Sequence, residues 1–165
     1  MGTTKIWKVK TNLTRAIDYA TDSRKTALKS DIGNVIGYAS DEGKTLSGRY
    51  VTALNCNVTY AKEQFETIKK RFGKEDGILA FHAYQSFADY DDITPDMAHE
   101  IGVKLAEELW GDRFQVIVAT HLNTKCLHNH FVINSVSFAD GKKYHDCRST
   151  YRHMREVSDS ICRQY

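Results

Sequence analysis

Three of the chain's seven histidines fall within ten residues, in the segment His121-Leu-Asn-Thr-Lys-Cys-Leu-His128-Asn-His130. If Asn129 lies in a strand, His128 and His130 point to the same face, because strand side chains alternate with a period of two. His121 closes the preceding apolar run, so a hairpin-like return sets it beside that pair. Three imidazole nitrogens converging on one point, with positions left for water or substrate, make a catalytic rather than a structural metal arrangement. Neutral imidazoles suit zinc, manganese or other transition ions, and a site that also takes a phosphate oxygen can work with manganese or magnesium. The plainer alternative is a His-x-His pair hydrogen-bonded across an exposed sheet face. The third histidine argues against it.

Strands must carry these side chains. Phe114 to Thr120 is a nearly continuous apolar run and Phe131 to Phe138 a second, joined by a polar connection, as two adjacent core strands would be. Upstream, Ile6 to Lys10 alternates like a strand, and Leu13, Ala16, Ile17 and Ala20 recur at helical spacing. Gly33, Gly37, Gly43 and Gly48 among polar residues mark 31–50 as irregular, with a turn or hairpin at Asp41-Glu42-Gly43-Lys44. Ala61 to Phe72 reads as a basic helix with Phe65, Ile68 and Phe72 on one face, Asn57 and Thr59 as capping candidates, and Gly73 as its stop. Gly77 to Phe87 returns to strand character, and Thr94-Pro95-Asp96 opens a helix that runs to Trp110 and ends at Gly111. Asp140-Gly141 suits a tight turn before Lys142 to Asp146, and Ser149 or Thr150 can cap a C-terminal helix. The order of elements predicts the α+β class, with an antiparallel or mixed sheet covered by helices.

At 165 residues and 41% hydrophobic content the chain can bury one core of ordinary size, so a single domain is expected. No stretch approaches the roughly 18 to 20 apolar residues of a membrane helix, and no apolar signal core opens the chain, which predicts a soluble intracellular protein. The four cysteines form no CxxC pair and read as reduced thiols. The net charge of +2 hides an asymmetry: residues 1–74 carry 14 basic and 7 acidic side chains, residues 75–112 carry 1 and 10, and residues 113–165 carry 8 and 4. A fold that gathers both basic segments on one side would suit phosphates. Lys69, Lys70, Arg71, Lys74, Arg148, Arg152 and Arg155 are the candidate contacts to such phosphates.

The segment HLNTKCLHNHFVIN, His121 to Asn134, resembles the third motif of relaxases, the mobilisation nucleases of the HUH endonuclease superfamily. Phe81-His-Ala-Tyr-Gln-Ser-Phe87, followed by Thr94-Pro95 and a helix, is similar to the second motif, with Ser86 as its serine. Leu13-Thr-Arg-Ala-Ile-Asp-Tyr19, followed by Lys25-Thr26, is similar to the first, where MOBP-type relaxases carry their nucleophilic tyrosine; Tyr19 is the matching residue. Leu54-Asn-Cys56, Phe72-Gly-Lys74 and Gly141-Lys-Lys-Tyr144 extend the likeness over most of the chain. One departure stands out: many relatives have an acid two positions after the first histidine, where this chain has Asn123.

The resemblance implies a central antiparallel sheet of the relaxase type and one nickase domain over residues 1–165, the N-terminal part of a longer protein. It implies strand-specific nicking at a transfer origin to initiate conjugative transfer of a plasmid or integrative element. Tyr19 would attack the phosphodiester and leave a 5′-phosphotyrosyl link and a free 3′-hydroxyl. His121, His128 and His130 would hold Mn²⁺ or Mg²⁺, with Zn²⁺ or another transition ion as the alternative. A phenol with an unperturbed pKa of ~10 needs a cation or base beside it, and the metal or Lys25 could serve. Ser86 could bind a DNA phosphate, Asn134 could brace the metal site or pair with backbone, and His82 could join the site or be structural. Asn123 can orient a histidine but cannot take a proton, so that role passes to water, Asp89 or the metal. DNA contacts are expected from Lys25, Ser86, Lys70, Arg71, Lys74 and Arg148. The implied partners are single-stranded origin DNA, accessory relaxosome proteins and a coupling protein, in the bacterial cytoplasm, with no membrane and no small-molecule cofactor. Two other readings remain: an origin-binding domain that has lost cleavage, and another three-histidine metal-dependent hydrolase or a lyase that needs no Tyr19.

Overall fold

The computed structural model describes residues 2–27 and 48–165, so the turn or hairpin expected at Asp41-Glu42-Gly43-Lys44 lies outside the described residues. The elements are β1 (Thr3–Val9), α1 (Leu13–Thr21), α2 (Ser23–Thr26), β2 (Val51–Leu54), α3 (Ala61–Arg71), β3 (Ala80–Ser86), α4 (Pro95–Trp110), β4 (Val116–His121), β5 (His128–Asn134) and α5 (Arg148–Cys162). The five strands form one sheet in the order β1-β3-β5-β4-β2, antiparallel at every pairing. The class is α+β, and of the two sheet types the sequence allowed, the antiparallel one is found.

Both faces of the sheet are covered, which is why β4 reads as a continuous apolar run rather than an alternating one. On one face Phe81, Ala83, Val116, Val118, Phe131 and Ile133 pack against α4 and α5 through Ile101, Leu105, Trp110, Met154 and Ile161. On the other, Ala80, Ile117, Ala119 and Val132 meet α1 and α3 through Leu13, Ile17, Ala20 and Phe65. Full burial of each large apolar side chain stabilises by about 1.5–3 kcal/mol.

Several local expectations change in detail. Thr94 caps α4 as expected, accepting from the Met97 amide, with Pro95 at the first position. The cap position of α3 is Tyr60 instead, which makes no side-chain cap hydrogen bond, while Asn57 turns back to accept from the Thr59 amide. Its buried face is Ala61, Phe65 and Lys69, not Ile68, because the Lys69 Nζ donates to Asn134 Oδ1 at 2.6 Å inside the protein. The cap of α5 is Cys147, and the Thr150 hydroxyl accepts from its amide. Lys142 to Asp146 supplies only the isolated bridge between Lys143 and Val136. The short elements α2 and β2 were not expected; four residues each are too few to show a period.

A buried polar network ties helices to the sheet at the level of the histidines. Thr120 Oγ1 donates to Asn129 Oδ1 at 2.6 Å, and Asn129 Nδ2 donates to the Ala98 carbonyl at 2.8 Å and to Gln85 Oε1 at 3.0 Å. Gln85 Nε2 reaches Ser158 Oγ on α5 at 2.8 Å. Gly102 makes room for Asn129: a Cβ there would lie 2.5 Å from its Nδ2.

Candidate metal centre and its tyrosine

Antiparallel pairing sets His121 opposite His128 across β4 and β5, and Ser86 opposite His128 and Tyr84 opposite His130 across β3 and β5. The period of two then turns His121, His128, His130, His82 and Tyr84 to the face that α1 covers. One nitrogen from each of His121, His128 and His130 lies within 4.8 Å of the other two. The ring centroids are 4.2 Å apart for His121 and His130, 5.0 Å for His128 and His130, and 5.1 Å for His121 and His128.

The second nitrogen of each ring is already engaged. His121 Nε2–H donates to the Ala20 carbonyl at 2.8 Å, which leaves Nδ1 with its lone pair. His128 Nδ1–H donates to the Cys126 carbonyl at 3.0 Å, leaving Nε2. His130 Nδ1 shares a 2.8 Å hydrogen bond with His82 Nε2, and His130 Nε2 is buried with no partner. Fixing one nitrogen of each imidazole while leaving the other open is how proteins aim metal-binding histidines. The unpartnered, buried Nε2 fits a divalent cation, as does a donor set of neutral nitrogens.

Burial keeps the rings of His130, His121 and His82 uncharged. It is the first cause that lowers His130 to about 2, with His121, His82 and His128 adding like-charge repulsion. Burial likewise lowers His121 to about 4, against the opposing bond to Ala20, and His82 to about 4, with repulsion from His121. At neutral pH the lone pairs of His121 and His130 are therefore available.

Tyr19, two residues before the end of α1, stands over this cluster. Its ring centroid is 5.4 Å from that of His130, 5.7 Å from His121 and 6.2 Å from His82. The residue remains 48% exposed, so it is open to a substrate from solvent. The next residue, Ala20, supplies the carbonyl that holds His121, so one turn of helix sets both groups. Asp22 then caps α2, accepting from the Arg24 amide, and the chain bends back until Lys25 Nζ lies 3.4 Å over the Tyr19 ring centroid.

The other candidates divide. Ser86 is half-buried at the end of β3, opposite His128, and His82 is buried against His130. Asn123 is exposed in the β4–β5 loop. Asn134 lies four residues beyond His130 on β5, roughly 13 Å at ~3.3 Å per residue, and bonds Lys69, the Phe65 carbonyl and Gln115. Asn134 therefore does not reach the metal centre, and Lys69 is buried beside it rather than free for DNA. Lys70 and Arg71 are exposed at that far end of the sheet, and Lys74 donates there to the Gly141 carbonyl. Arg148, Arg152 and Arg155 are exposed on α5, across the sheet from the histidines. Acidic α4 shares that far face, but Asp89 pairs with Lys125 in the loop leading to β5. Sequence reasoning did not single out Trp7: β1's alternation gives only its face, and the pairing of β1 with β3 sets it opposite His82, on which its ring stacks at 4.5 Å.

Comparison with known proteins follows this geometry. Residues 38–165 match the family model for relaxases, described as MobA/VirD2-like, nuclease domain. The match takes in Ser86 and the three histidines; Tyr19 and Lys25 precede it. The chain is 38% identical over 130 residues to a Protein rlx of Staphylococcus aureus, covering 79% of this chain and 39% of that protein. A second Protein rlx of that organism is 33% identical over 138 residues, covering 84% and 40%. The group II intron-interrupted relaxase LtrB of Lactococcus lactis subsp. cremoris is 28% identical over 162 residues, covering 81% and 29%. The chain thus spans about two fifths of the length of the Protein rlx relatives.

Proposed function

Because the chain belongs to the MobA/VirD2-like relaxase nuclease family, we propose that it nicks one strand of DNA at a transfer origin, with Tyr19 as nucleophile beside a divalent ion held by His121, His128 and His130. The observation that carries this reading is the exposed Tyr19 standing over the buried imidazoles of His121 and His130, the second with an unpartnered nitrogen. In the reaction a bond forms between Tyr19 Oη and phosphorus while the bond from phosphorus to O3′ breaks. The phenolic proton leaves and the 3′-oxygen gains one, giving a 5′-phosphotyrosyl adduct and a 3′-hydroxyl. One ester replaces another, so the step is reversible.

A bound divalent ion, Mn²⁺ or Mg²⁺ with Zn²⁺ as the alternative, supplies positive charge where the phosphate oxygens gain negative charge in the transition state. The Lys25 ammonium over the ring adds a second positive charge beside the attacked phosphate. The Ser86 hydroxyl donates to a phosphate oxygen, a role supported by its position opposite His128. Ala20 and Cys126 hold His121 and His128 through their carbonyls, so little rearrangement is needed when the substrate arrives. Asn123 cannot accept the proton and Asp89 is paired with Lys125; water at the exposed Tyr19 takes that role. The substrate is single-stranded origin DNA of a plasmid or integrative conjugative element in the bacterial cytoplasm, and accessory relaxosome proteins and a coupling protein are the remaining partners.

The test uses single-stranded oligonucleotides tiling the DNA that flanks the coding sequence, with Mn²⁺ or Mg²⁺ present. A covalent protein–DNA band carrying a 3′-end label, absent with a 5′-end label, is expected, and Tyr19→Phe and His128→Ala should each abolish it. A band that survives Tyr19→Phe overturns the nucleophile assignment. Binding without any adduct supports the origin-binding reading that Asn123 permits.

A further inference from the structure

Beside Tyr19 a groove of about 410 Å³ opens between β1 and α1, with Trp7, Arg15, Tyr19 and His130 among its lining residues. Its volume lies in the range of small-molecule sites, roughly 300–1,000 Å³. We propose that this groove seats the nucleotide adjoining the phosphodiester that Tyr19 attacks, with the base stacked on Trp7 and a phosphate paired with Arg15. The proposal rests on the nicking reading above and adds a subsite to it.

Trp7 is 43% exposed on an edge strand, whereas the chain's other tryptophan, Trp110, is 1% exposed in the core. One side of the Trp7 ring is held by His82, stacked at 4.5 Å with 27° between planes, and His82 is itself bonded to His130. The indole is thus a fixed platform joined to the candidate metal centre rather than a loose surface side chain. Every base presents a π-face to such a platform, so stacking there needs no particular sequence. Arg15 lies one helical turn before Tyr19, on the same side of α1. Among the described residues its guanidinium makes no ion pair, so it is available to a phosphate. The groove is continuous with Tyr19 and His130, so its occupant would be covalently next to the reacting phosphate.

Trp110 is buried, so a stacked base quenches the emission of Trp7 alone. Titration of the protein, with Mn²⁺ present, by a 20-nucleotide oligothymidylate is expected to quench this emission. Trp7→Phe should remove the quench while keeping affinity within a few-fold, since phenylalanine still offers a ring. Trp7→Ala should weaken binding roughly 5- to 150-fold. Arg15→Gln should reduce the slope of log affinity against log salt by about 0.7, the loss of one phosphate contact on a single strand. An unquenched Trp7 at high oligonucleotide concentration, or a Trp7→Ala variant that binds as the parent does, overturns the subsite even where the covalent adduct forms. A quench by oligothymidylate with no adduct on any of the tiling oligonucleotides leaves the groove as a single-strand seat and overturns the nicking reading instead.

Discussion

His121 receives from the backbone what an acidic neighbour could otherwise give. The Ala20 carbonyl fixes its Nε2–H at 2.8 Å, so the residue two positions on need not orient it. Asn123→Asp is therefore expected to leave Mn²⁺ affinity within about threefold by calorimetry; a gain of tenfold or more would mean that the loop residue reaches the site. His130 depends on a side chain instead. His82→Phe keeps a ring for Trp7 to stack on but leaves His130 Nδ1 without its partner. Mn²⁺ affinity should fall roughly 10- to 100-fold, with partial recovery in His82→Gln. Unchanged affinity would reduce His82 to packing. The three clustered histidines were legible in the sequence because two of them obey the strand period. His82 was left open between site and structure, since its contact with His130 is 48 residues away in the chain.

At the scale of elements, the site depends on how β4 and β5 are held from behind. Asn129 sits between His128 and His130 but points to the opposite face, where α4 offers the Ala98 carbonyl and the space above Gly102. Gly102→Ala would put a methyl 2.5 Å from the Asn129 amide, and neither side can give way without breaking hydrogen bonds. A loss of about 1–3 kcal/mol in denaturant unfolding is expected. Thr94→Ala, which removes only the cap of α4, should cost about 1 kcal/mol. If Gly102→Ala proves neutral, the clamp behind the histidines is looser than its geometry says. The caps at Thr94 and the strands around the histidines could be read from local signals. The buried lysine of α3 could not, since Lys69 is held inside by a hydrogen bond it donates to Asn134 Oδ1, 65 residues on.

For the whole molecule, stability should follow pH through the histidines. His82, His121 and His130 are lowered in the folded chain to about 4, 4 and 2 from an ordinary value of 6.5. The unfolded chain therefore binds more protons than the folded one between pH 6.5 and about 4. Stability from this source is complete above pH 6.5 and falls as pH drops through that window, by up to about 1.4 kcal/mol per pH unit for each ring. Thermal unfolding of the metal-free protein from pH 7.5 to 4.5 is the measurement, and a Tm that does not fall would contradict the burial of these rings. Adding Mn²⁺ at 100 times its Kd at pH 7.5 should stabilise the fold by ~2.7 kcal/mol, and EDTA should reverse this. Among the described residues no helix is long and apolar enough to cross a membrane.

The sequence by itself determined what local periods and spacings encode: an α+β class, a histidine cluster on one strand face, the cap and proline of α4, and relaxase motifs in chain order. A period-two strand and a capped turn involve neighbours only, so a linear reading finds them. Tertiary structure decided the rest. It chose the order β1-β3-β5-β4-β2, which lays Trp7, His82, His130 and His121 in one row of rings across four strands. It put the basic end of α3 and the arginines of α5 away from that row, so these basic residues do not gather beside the histidines. It also folded α1 and α2 back over the sheet, so that Ala20 and Tyr19, with Lys25 over its ring, meet a histidine about a hundred residues downstream. Such contacts depend on strand order and helix docking, which bring distant segments together only once the whole core is packed.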